Sequence, residues 1–308
     1  MISHKTNNKS KYHNKNPNQS HSLHDYDNLA IKPSANDATI NHDIKNWNNI
    51  RFDEFRLPGT KEAHYWCAEW KTLGCVNDKE HKLKGYGNKA FVNHFQRFCY
   101  RPDCKECYQK WIDRESDRAT KRIKKYQRIS GERPIHVVLS PSQNNSNPPE
   151  KLLRKQAMMI LKEVNVKDGA LILHPWRFDR TKSEWYSSPH YHFVGFGWFR
   201  NLELVARKYG WKVLYKGVRG NIFGTFQYLL SHCGIKDKRH AITWLGKLSY
   251  GKLKVEKTTK SNKCSICSKE LVPIYYAGTH PVIPPDKPFL GIIDSEDWYE
   301  VKTLKNSN

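Results

Sequence analysis

The sequence predicts an α+β fold, a sheet with flanking helices preceded by a small cysteine-rich module. Short apolar runs of strand length alternate with segments of helical spacing from Pro134 onward. Their order, β-α-β-β-α-β-α, suits a sheet with its helices on one side. The eight cysteines fall into clusters, which favours metal binding over a disulfide framework.

The individual elements follow from local patterns. Each predicted strand is a short apolar run, and most are followed closely by proline or glycine: 135–139, 170–173, 190–199 and 211–215. Helices are predicted over 112–129, 152–164, 202–209 and 222–233, and the last two are closed by Gly210 and Gly234. The first helix is strongly basic, so it would form a solvated face or follow a phosphate backbone.

Composition divides the chain into four parts. Residues 1–45 are dominated by Asn, Lys, Ser and His, and we expect a disordered tail because they hold few large apolar side chains. Residues 46–130 combine a zinc-binding module with the basic helix. The predicted sheet and its helices occupy 131–255, and 256–308 is a C-terminal extension that carries a Cys-x2-Cys motif.

The chain is strongly basic, with 53 Lys+Arg against 30 Asp+Glu and a formal charge of +23. Such an excess favours a polyanionic partner, because neutralised phosphates release counterions. No run of 18 apolar residues is present, and the N-terminus lacks the apolar segment of a secretory signal. The sequence therefore predicts a cytoplasmic protein that binds nucleic acid and not a membrane.

A pair of histidines predicts a metal site. His190 and His192 lie two residues apart in a predicted strand, so both imidazoles point to the same face. Two imidazoles leave most of the coordination shell of a divalent ion such as Mg²⁺ or Mn²⁺ open. We expect His174, at the end of the preceding strand, to be the third ligand, with Glu184 and Asp179 as alternatives.

A tyrosine on the last helix is the candidate nucleophile. Tyr228 follows His192 by 36 residues, and an isolated tyrosine on such a helix is usually a core residue. A phenol beside a metal site can instead attack a phosphodiester whose charge the metal neutralises. His232, four residues later on the same helix face, could assist proton transfer. Tyr215, at a strand end, is the runner-up.

The N-terminal cysteines predict structural zinc. Cys104 and Cys107 have the spacing of a common zinc half-site. The candidate ligands that could complete it are Cys67, Cys75 and Cys99, with His64 and His94 competing. Since tetrahedral zinc needs four ligands, we favour Cys67 and Cys75, with Cys99 as a close substitute.

A second Cys-x2-Cys pair, Cys264 and Cys267, indicates another possible zinc site. No matching cysteine pair follows it along the chain. The candidate ligands that could complete it are Cys233, His232, His240 and His280.

Several of these segments together resemble a known family. The chain resembles the HUH endonucleases, and more closely the rolling-circle replication initiator (Rep) proteins of archaeal plasmids and viruses. The resemblance covers roughly residues 60–280. It rests on the segments 135–140, 174–177, 189–192 and 228–232, and on the cysteine-rich segment 99–107.

The resemblance implies a central antiparallel sheet and a site-specific nick in single-stranded origin DNA. Tyr228 would attack the phosphodiester, remain attached as a 5′-phosphotyrosine and leave a 3′-hydroxyl for a host polymerase. Apart from the resemblance, the zinc of the cysteine module would hold that module together and present Arg97, Arg101 and Lys105 to DNA, and Arg177 is a further candidate DNA contact. Without a GxxxxGK[ST] motif, a host helicase would unwind the duplex.

The tyrosine helix departs from one pattern of the family. Some relatives carry a second tyrosine, or an acidic residue just before the first, that ends the reaction cycle. This chain has Thr225, Phe226 and Gln227 instead, so we expect a water molecule or a second subunit to supply the terminating group. The alternatives to a replication initiator are an HUH transposase or relaxase, and a non-catalytic zinc protein that binds nucleic acid.

Overall fold

A computed structural model describes residues 52–141, 148–198, 201–256, 261–280 and 282–301. The described chain is α+β, with two five-stranded antiparallel sheets, which confirms the α+β part of the predicted fold class. The predicted tail, 1–45, lies outside the described residues. No helix of the described segments is both long and apolar enough to cross a membrane.

The strands are β1 (Trp70–Cys75), β2 (Lys89–Gln96), β3 (Ile135–Pro141), β4 (Val166–Asp179), β5 (Glu184–Gly197), β6 (Trp211–Val218), β7 (Ile242–Leu245), β8 (Val272–Tyr276), β9 (Phe289–Asp294) and β10 (Trp298–Glu300). The α-helices are α1 (Asp78–Leu83), α2 (Tyr108–Ser130), α3 (Glu150–Glu163), α4 (Leu202–Tyr209) and α5 (Ile222–Ser231). A short 3-10 helix, Gly246–Leu248, follows β7.

The central sheet has the strand order β6-β3-β5-β4-β7, and every neighbouring pair is antiparallel. Its first four strands in the chain are those that the apolar runs predicted. Strands β4 and β5 extend well past the predicted runs, because they form one long hairpin whose outer end is paired as far as Asp179 and Glu184. Strand β7 was not predicted.

Helices cover both faces of the central sheet, so the expectation of helices on one side was wrong. One face packs against α3 and α4, through core residues such as Ile160 and Val205. The other face packs against α2 and α5, through Ile123 and Phe226. The cause is visible in β5, where every residue from 190 to 196 is buried, so neither face of the strand can remain in water.

The second sheet, here called the terminal sheet, joins the two ends of the described chain. Its order is β10-β8-β1-β2-β9. Strands β1 and β2 belong to the predicted zinc module, whereas β8, β9 and β10 belong to the C-terminal extension. Sequence composition treated 46–130 and 256–308 as separate parts, and the structure places strands from both in one sheet.

The basic helix predicted at 112–129 is present as α2, and most of its charges are exposed. Arg122 is the exception. Its side chain is buried and donates hydrogen bonds to the main-chain carbonyls of Leu248 (2.8 Å) and Leu253 (2.5 Å). This arginine therefore fastens the segment after β7 to α2 and does not belong to a solvated basic face.

Candidate metal and tyrosine site

Three histidines converge on one face of the central sheet. His190 and His192 alternate along β5, and His174 of β4 is the register partner of His190. One ring nitrogen from each of the three lies within 4.8 Å of the others, and all three side chains are buried. The structure thus brings together the three residues that were predicted from the sequence as one metal-ligand set.

The hydrogen bonds of two of these histidines leave a ring nitrogen free for a metal. His190 donates from Nδ1 to the Ser188 carbonyl at 2.7 Å, because a carbonyl can only accept. By the same reasoning His174 donates from Nε2 to the Leu229 carbonyl at 2.8 Å. The remaining nitrogen of His174, Nδ1, is buried without a hydrogen-bond partner. A buried acceptor without a partner is costly, and a bound cation would satisfy it.

A fourth histidine, His136 of β3, contacts the histidine group through His192. Its Nε2 lies 2.8 Å from Nδ1 of His192, and Arg219 donates to its Nδ1 at 2.9 Å. In this arrangement the proton of neutral His136 lies on Nε2 and is donated to Nδ1 of His192, so the neutral His192 ring carries its own proton on Nε2. A metal at Nε2 of His192 therefore requires this proton to move to Nδ1 and the contact between Arg219 and His136 to be given up. His136 was not among the predicted site residues. A polar residue in an otherwise apolar strand could have indicated a functional role for His136. Its contact with His192, however, depends on the register between β3 and β5, which the sequence does not give.

Burial keeps these imidazoles neutral. Burial lowers the pKa of His174 and of His192 well below the usual value for histidine. Burial, with a smaller effect of the Arg177 charge, lowers the pKa of His190 to about 3. Burial lowers the pKa of His136 to about 3, helped by the charge of Arg219. Neutral imidazole is the form that binds metals.

The acidic alternatives for the third ligand lie elsewhere. Asp179 and Glu184 pair with each other at the outer end of the β4–β5 hairpin. Asp179 is five residues beyond His174, or ~16 Å along a strand. Its carboxylate accepts hydrogen bonds from the backbone N–H groups of Thr181 and Lys182, which shape the turn. The alternative ligands predicted from the loop are therefore not part of the histidine group.

The helix that carries Tyr228 packs directly on the histidine group. Tyr228 is 45% exposed, and its ring lies 4.9 Å from the ring of His232, centroid to centroid. The His232 ring in turn lies 4.3 Å from that of His174. The structure therefore places the predicted nucleophile beside the predicted metal ligands, with its side chain open to solvent.

His232 ends helix α5 in an arrangement that leaves one nitrogen free. The Ser231 hydroxyl donates to the Tyr228 carbonyl at 2.8 Å, so its oxygen accepts from His232 Nδ1 at 2.9 Å. Burial lowers the pKa of His232 to about 4, which keeps the ring neutral near pH 7. Nε2 of His232 then carries a lone pair and can accept a proton.

The competing tyrosine, Tyr215, has a different position. It lies on β6, and its register partner on β3 is Val137. The side chain of Val137 belongs to the core on the other face of the sheet, together with α3 and α4. The histidines and Tyr228 share the face that packs against α5, so the geometry favours Tyr228 over Tyr215.

Arg177 lies next to the histidine group on β4. Its Nε donates to the Ser188 hydroxyl at 3.1 Å, and Nη2 donates to the Ser140 hydroxyl at 3.1 Å. Two hydroxyls thus hold the guanidinium in place while its charge stays near His190. A fixed positive charge in this position suits a phosphate group.

The N-terminal cysteine group consists of Cys67, Cys99, Cys104 and Cys107, whose sulfur atoms all lie within 4.8 Å of one another. This four-sulfur group could hold a structural zinc ion. The expected set is corrected in one place, since Cys99 replaces Cys75. Burial raises the pKa of Cys99, but hydrogen bonds from the Arg101 backbone and from neighbouring side chains outweigh burial and lower it to about 7.

The two histidines that competed as zinc ligands, His64 and His94, make other contacts. His94 contacts the Thr72 hydroxyl at 2.8 Å and stacks on Trp70, and His64 packs against aromatic rings. Neither belongs to the four-sulfur group. The spacing of the cysteines alone did not decide between Cys75 and Cys99, because both lie at plausible distances from Cys104 along the chain.

Three of the four basic residues predicted to contact DNA lie around the four-sulfur group. Lys105 pairs with Glu62 at 2.5 Å, and Arg101 donates to the Glu62 carbonyl at 3.1 Å. Arg97 lies over the ring of Trp66, 4.8 Å from its centroid. All three remain at least partly exposed, so they border the cysteine module on its solvent side.

The second Cys-x2-Cys pair lies in another group. Cys264 and Cys267 meet Cys75 and His81, and the four ligand atoms lie within 4.8 Å of one another. The partners that were considered from the sequence, which were Cys233, His232, His240 and His280, are not in this group. His81 was missed because nothing local distinguishes it from the other histidines of this histidine-rich chain.

No protein-family model, curated protein or solved structure matches this chain. The arrangement of the site itself therefore carries the functional interpretation.

Proposed function

We propose that this protein is a metal-dependent endonuclease that cleaves single-stranded DNA with Tyr228 as its nucleophile. The observation that carries the proposal is the contact between helix α5 and the histidine group. The ring of Tyr228 is exposed and stands beside His232, and His232 stands beside His174. A tyrosine kept in the core would have no such access to a large substrate.

The histidine group fits a divalent cation. His174 Nδ1 is buried without a partner, and the hydrogen bond of His190 to Ser188 leaves its Nε2 free. Mg²⁺ or Mn²⁺ bound by these residues and His192 would polarise the scissile phosphate and neutralise its charge. Arg177, held by two serine hydroxyls, would bind a non-bridging oxygen of the same or the adjacent phosphate.

The cleavage step is a transfer of a phosphoryl group to the enzyme. The phenol oxygen of Tyr228 forms a bond to phosphorus, and the bond from phosphorus to the 3′ oxygen breaks. The phenol proton passes to the neutral imidazole of His232, and the departing 3′ oxygen takes a proton from water. The products are a 5′-phosphotyrosine and a free 3′-hydroxyl.

The biological role that agrees best with this chemistry is initiation of rolling-circle replication. The resemblance of the histidine strand, the tyrosine helix and the cysteine region to HUH Rep proteins supports it. A free 3′-hydroxyl is a primer, and the covalent 5′ end can be rejoined in a second transfer. The formal charge of +23 is consistent with a DNA partner.

The proposal is tested by trapping the covalent intermediate. Purified protein is incubated with 5′- and 3′-labelled single-stranded oligonucleotides and Mn²⁺ or Mg²⁺, and the products are separated under denaturing conditions. We expect an adduct that carries the segment 3′ of the cut, since its 5′ phosphate is bound to the tyrosine. Mass spectrometry of the digested adduct should place the nucleotide on Tyr228.

Variants separate the nucleophile from the rest of the site. Tyr228→Phe should form no adduct and still bind DNA, whereas Tyr215→Phe, the matched control, should cleave normally. His190→Ala should lose metal-dependent cleavage. If folded wild-type protein bound DNA but formed no adduct with either metal on a set of oligonucleotides drawn from its own replicon, a non-catalytic binding protein would be the better description.

A further inference from the structure

The second cysteine group is built from residues far apart in the chain. Cys75 ends β1 and His81 lies in α1, whereas Cys264 and Cys267 lie in the turn before β8. All four side chains are buried, with no more than 9% exposed. Their ligand atoms lie within 4.8 Å of one another.

The distances within the group match a tetrahedral metal site. His81 Nε2 lies 3.6 Å from Cys75 Sγ and 3.5 Å from Cys264 Sγ. Bonds of about 2.3 Å from zinc to sulfur and about 2.0 Å from zinc to nitrogen give nitrogen–sulfur edges of about 3.5 Å in a tetrahedron. His81 donates from Nδ1 to the Lys89 carbonyl at 2.6 Å, so the nitrogen that faces the sulfurs carries the lone pair.

The backbone around the Cys-x2-Cys pair is folded to support thiolates. The N–H of Ile266 points at Cys264 Sγ at 3.4 Å. The turn is closed by two backbone hydrogen bonds, from Cys264 N to the Lys269 carbonyl at 2.7 Å and from Ser268 N to the Cys264 carbonyl at 2.9 Å. N–H donors directed at sulfur stabilise the negative charge that a metal-bound thiolate carries.

We propose that Cys75, His81, Cys264 and Cys267 bind one Zn²⁺ ion that fastens the C-terminal strands to the terminal sheet. Three sulfurs and one imidazole make up a closed structural zinc set and leave no position open for a substrate. The ion links β1 and α1 to the turn before β8, which pairs with β1 at Leu73 and Pro273. This role is independent of the proposed nuclease activity.

A disulfide is a poorer description of the same group. The sulfurs of Cys75 and Cys267 are 3.5 Å apart, whereas a disulfide bond is about 2.0 Å long. None of the eight cysteines forms a disulfide in the structure. A disulfide between Cys75 and Cys267 would also leave Cys264 and His81 buried without a role, whereas a single ion uses all four ligands.

The test counts zinc in the full-length protein by native mass spectrometry and elemental analysis. Cys267→Ser should contain one zinc equivalent fewer than the wild type. His94→Ala, which removes a histidine from the same sheet but from neither cysteine group, should keep the full zinc content. Equal zinc content in Cys267→Ser and wild type would overturn the proposal, as would a loss of 2 Da that reports a Cys75–Cys267 disulfide.

A second variant keeps the test decisive if Cys267→Ser fails to fold. His81→Cys should still bind the metal, because it converts the set to four sulfurs. After Co²⁺ substitution its visible absorption should shift to longer wavelength relative to the wild type, as sulfur replaces nitrogen in the coordination shell. An unchanged cobalt spectrum in folded His81→Cys would show that His81 is not a ligand, and the proposed site would be rejected.

Discussion

His174 donates a hydrogen bond of 2.8 Å from Nε2 to the main-chain carbonyl of Leu229, the residue that follows Tyr228. One imidazole therefore does two things. Its Nδ1 faces the other histidines, and its Nε2 fixes the helix that carries the tyrosine. The side chain of His174 thus connects the metal ligands directly to the helix of the nucleophile, in addition to the core packing of α5 through Phe226.

We expect His174→Ala to impair both metal binding and cleavage. Loss of the ligand should weaken metal affinity by roughly tenfold or more. Loss of the bond to Leu229 should loosen α5, so saturating metal should not restore the full rate of adduct formation. Metal titrations of adduct formation would show this, with His240→Ala as a control histidine outside the group. Full recovery at high metal would mean that the contact with Leu229 is not needed.

The protein should lose stability as the pH falls below about 6.5. The folded state depresses the pKa of His136 and of His190 to about 3 and that of His232 to about 4. Between those values and the unfolded value of about 6.5, the unfolded chain binds more protons, so its population grows as the pH drops. Each such histidine removes up to about 1.4 kcal/mol per pH unit.

Denaturant unfolding at pH 7, 6 and 5 without added Mg²⁺ or Mn²⁺ would measure this loss. His136→Gln, which removes one titrating group without removing a proposed metal ligand, should give a shallower dependence on pH. A free energy of unfolding that stays constant from pH 7 to pH 5 would contradict the prediction.

Cys104→Ser should unfold the N-terminal cysteine module, because a structural zinc ion contributes directly to folding. The expected result is the loss of one zinc equivalent and rapid hydrogen exchange in the segment that precedes α2. Cys99→Ser should behave in the same way, since Cys99 Sγ lies 3.3 Å from Cys107 Sγ. Cys233→Ser, which removes a buried thiol outside both groups, should retain all zinc. A zinc-loaded, folded Cys104→Ser would show that the ligand set is wrong.

Glu150→Ala should destabilise the fold by about 3–5 kcal/mol, because it leaves a partly buried arginine without its partner. Glu150 is 4% exposed and accepts hydrogen bonds of 2.6 Å from both terminal nitrogens of Arg239. The Tyr191 hydroxyl donates to the same carboxylate at 2.8 Å. Glu163→Ala breaks the exposed pair with Lys208 and should have a much smaller effect. Equal midpoints in urea for both variants would refute the argument.

The elements of the central sheet could be predicted largely from local sequence, because burial on both faces makes β3, β4 and β5 continuous apolar runs. The shared face of His190 and His192 follows from strand alternation alone. The position of Tyr228 opposite them needed the resemblance as well, since a helical period does not say which strand the helix will cover.

The remaining features depend on contacts between distant segments. His136 meets His192 only through the register of β3 on β5, and His81 meets Cys264 across 183 residues. Strands β8 to β10 are short and complete a sheet that begins 200 residues earlier, at the pairing of Leu73 with Pro273. Local periodicity carries no information about such partners.

The composition of the terminal sheet fixes an order of events during synthesis. The ribosome releases β1 and β2 first, then every strand of the central sheet, and only afterwards β8, β9 and β10. A nascent chain whose first 255 residues have left the ribosome can hold a finished central sheet, yet its β1–β2 pair still has both edges open. Such edges invite pairing with other chains, so the release of residues 272–300 from the ribosome is the step that removes this aggregation hazard.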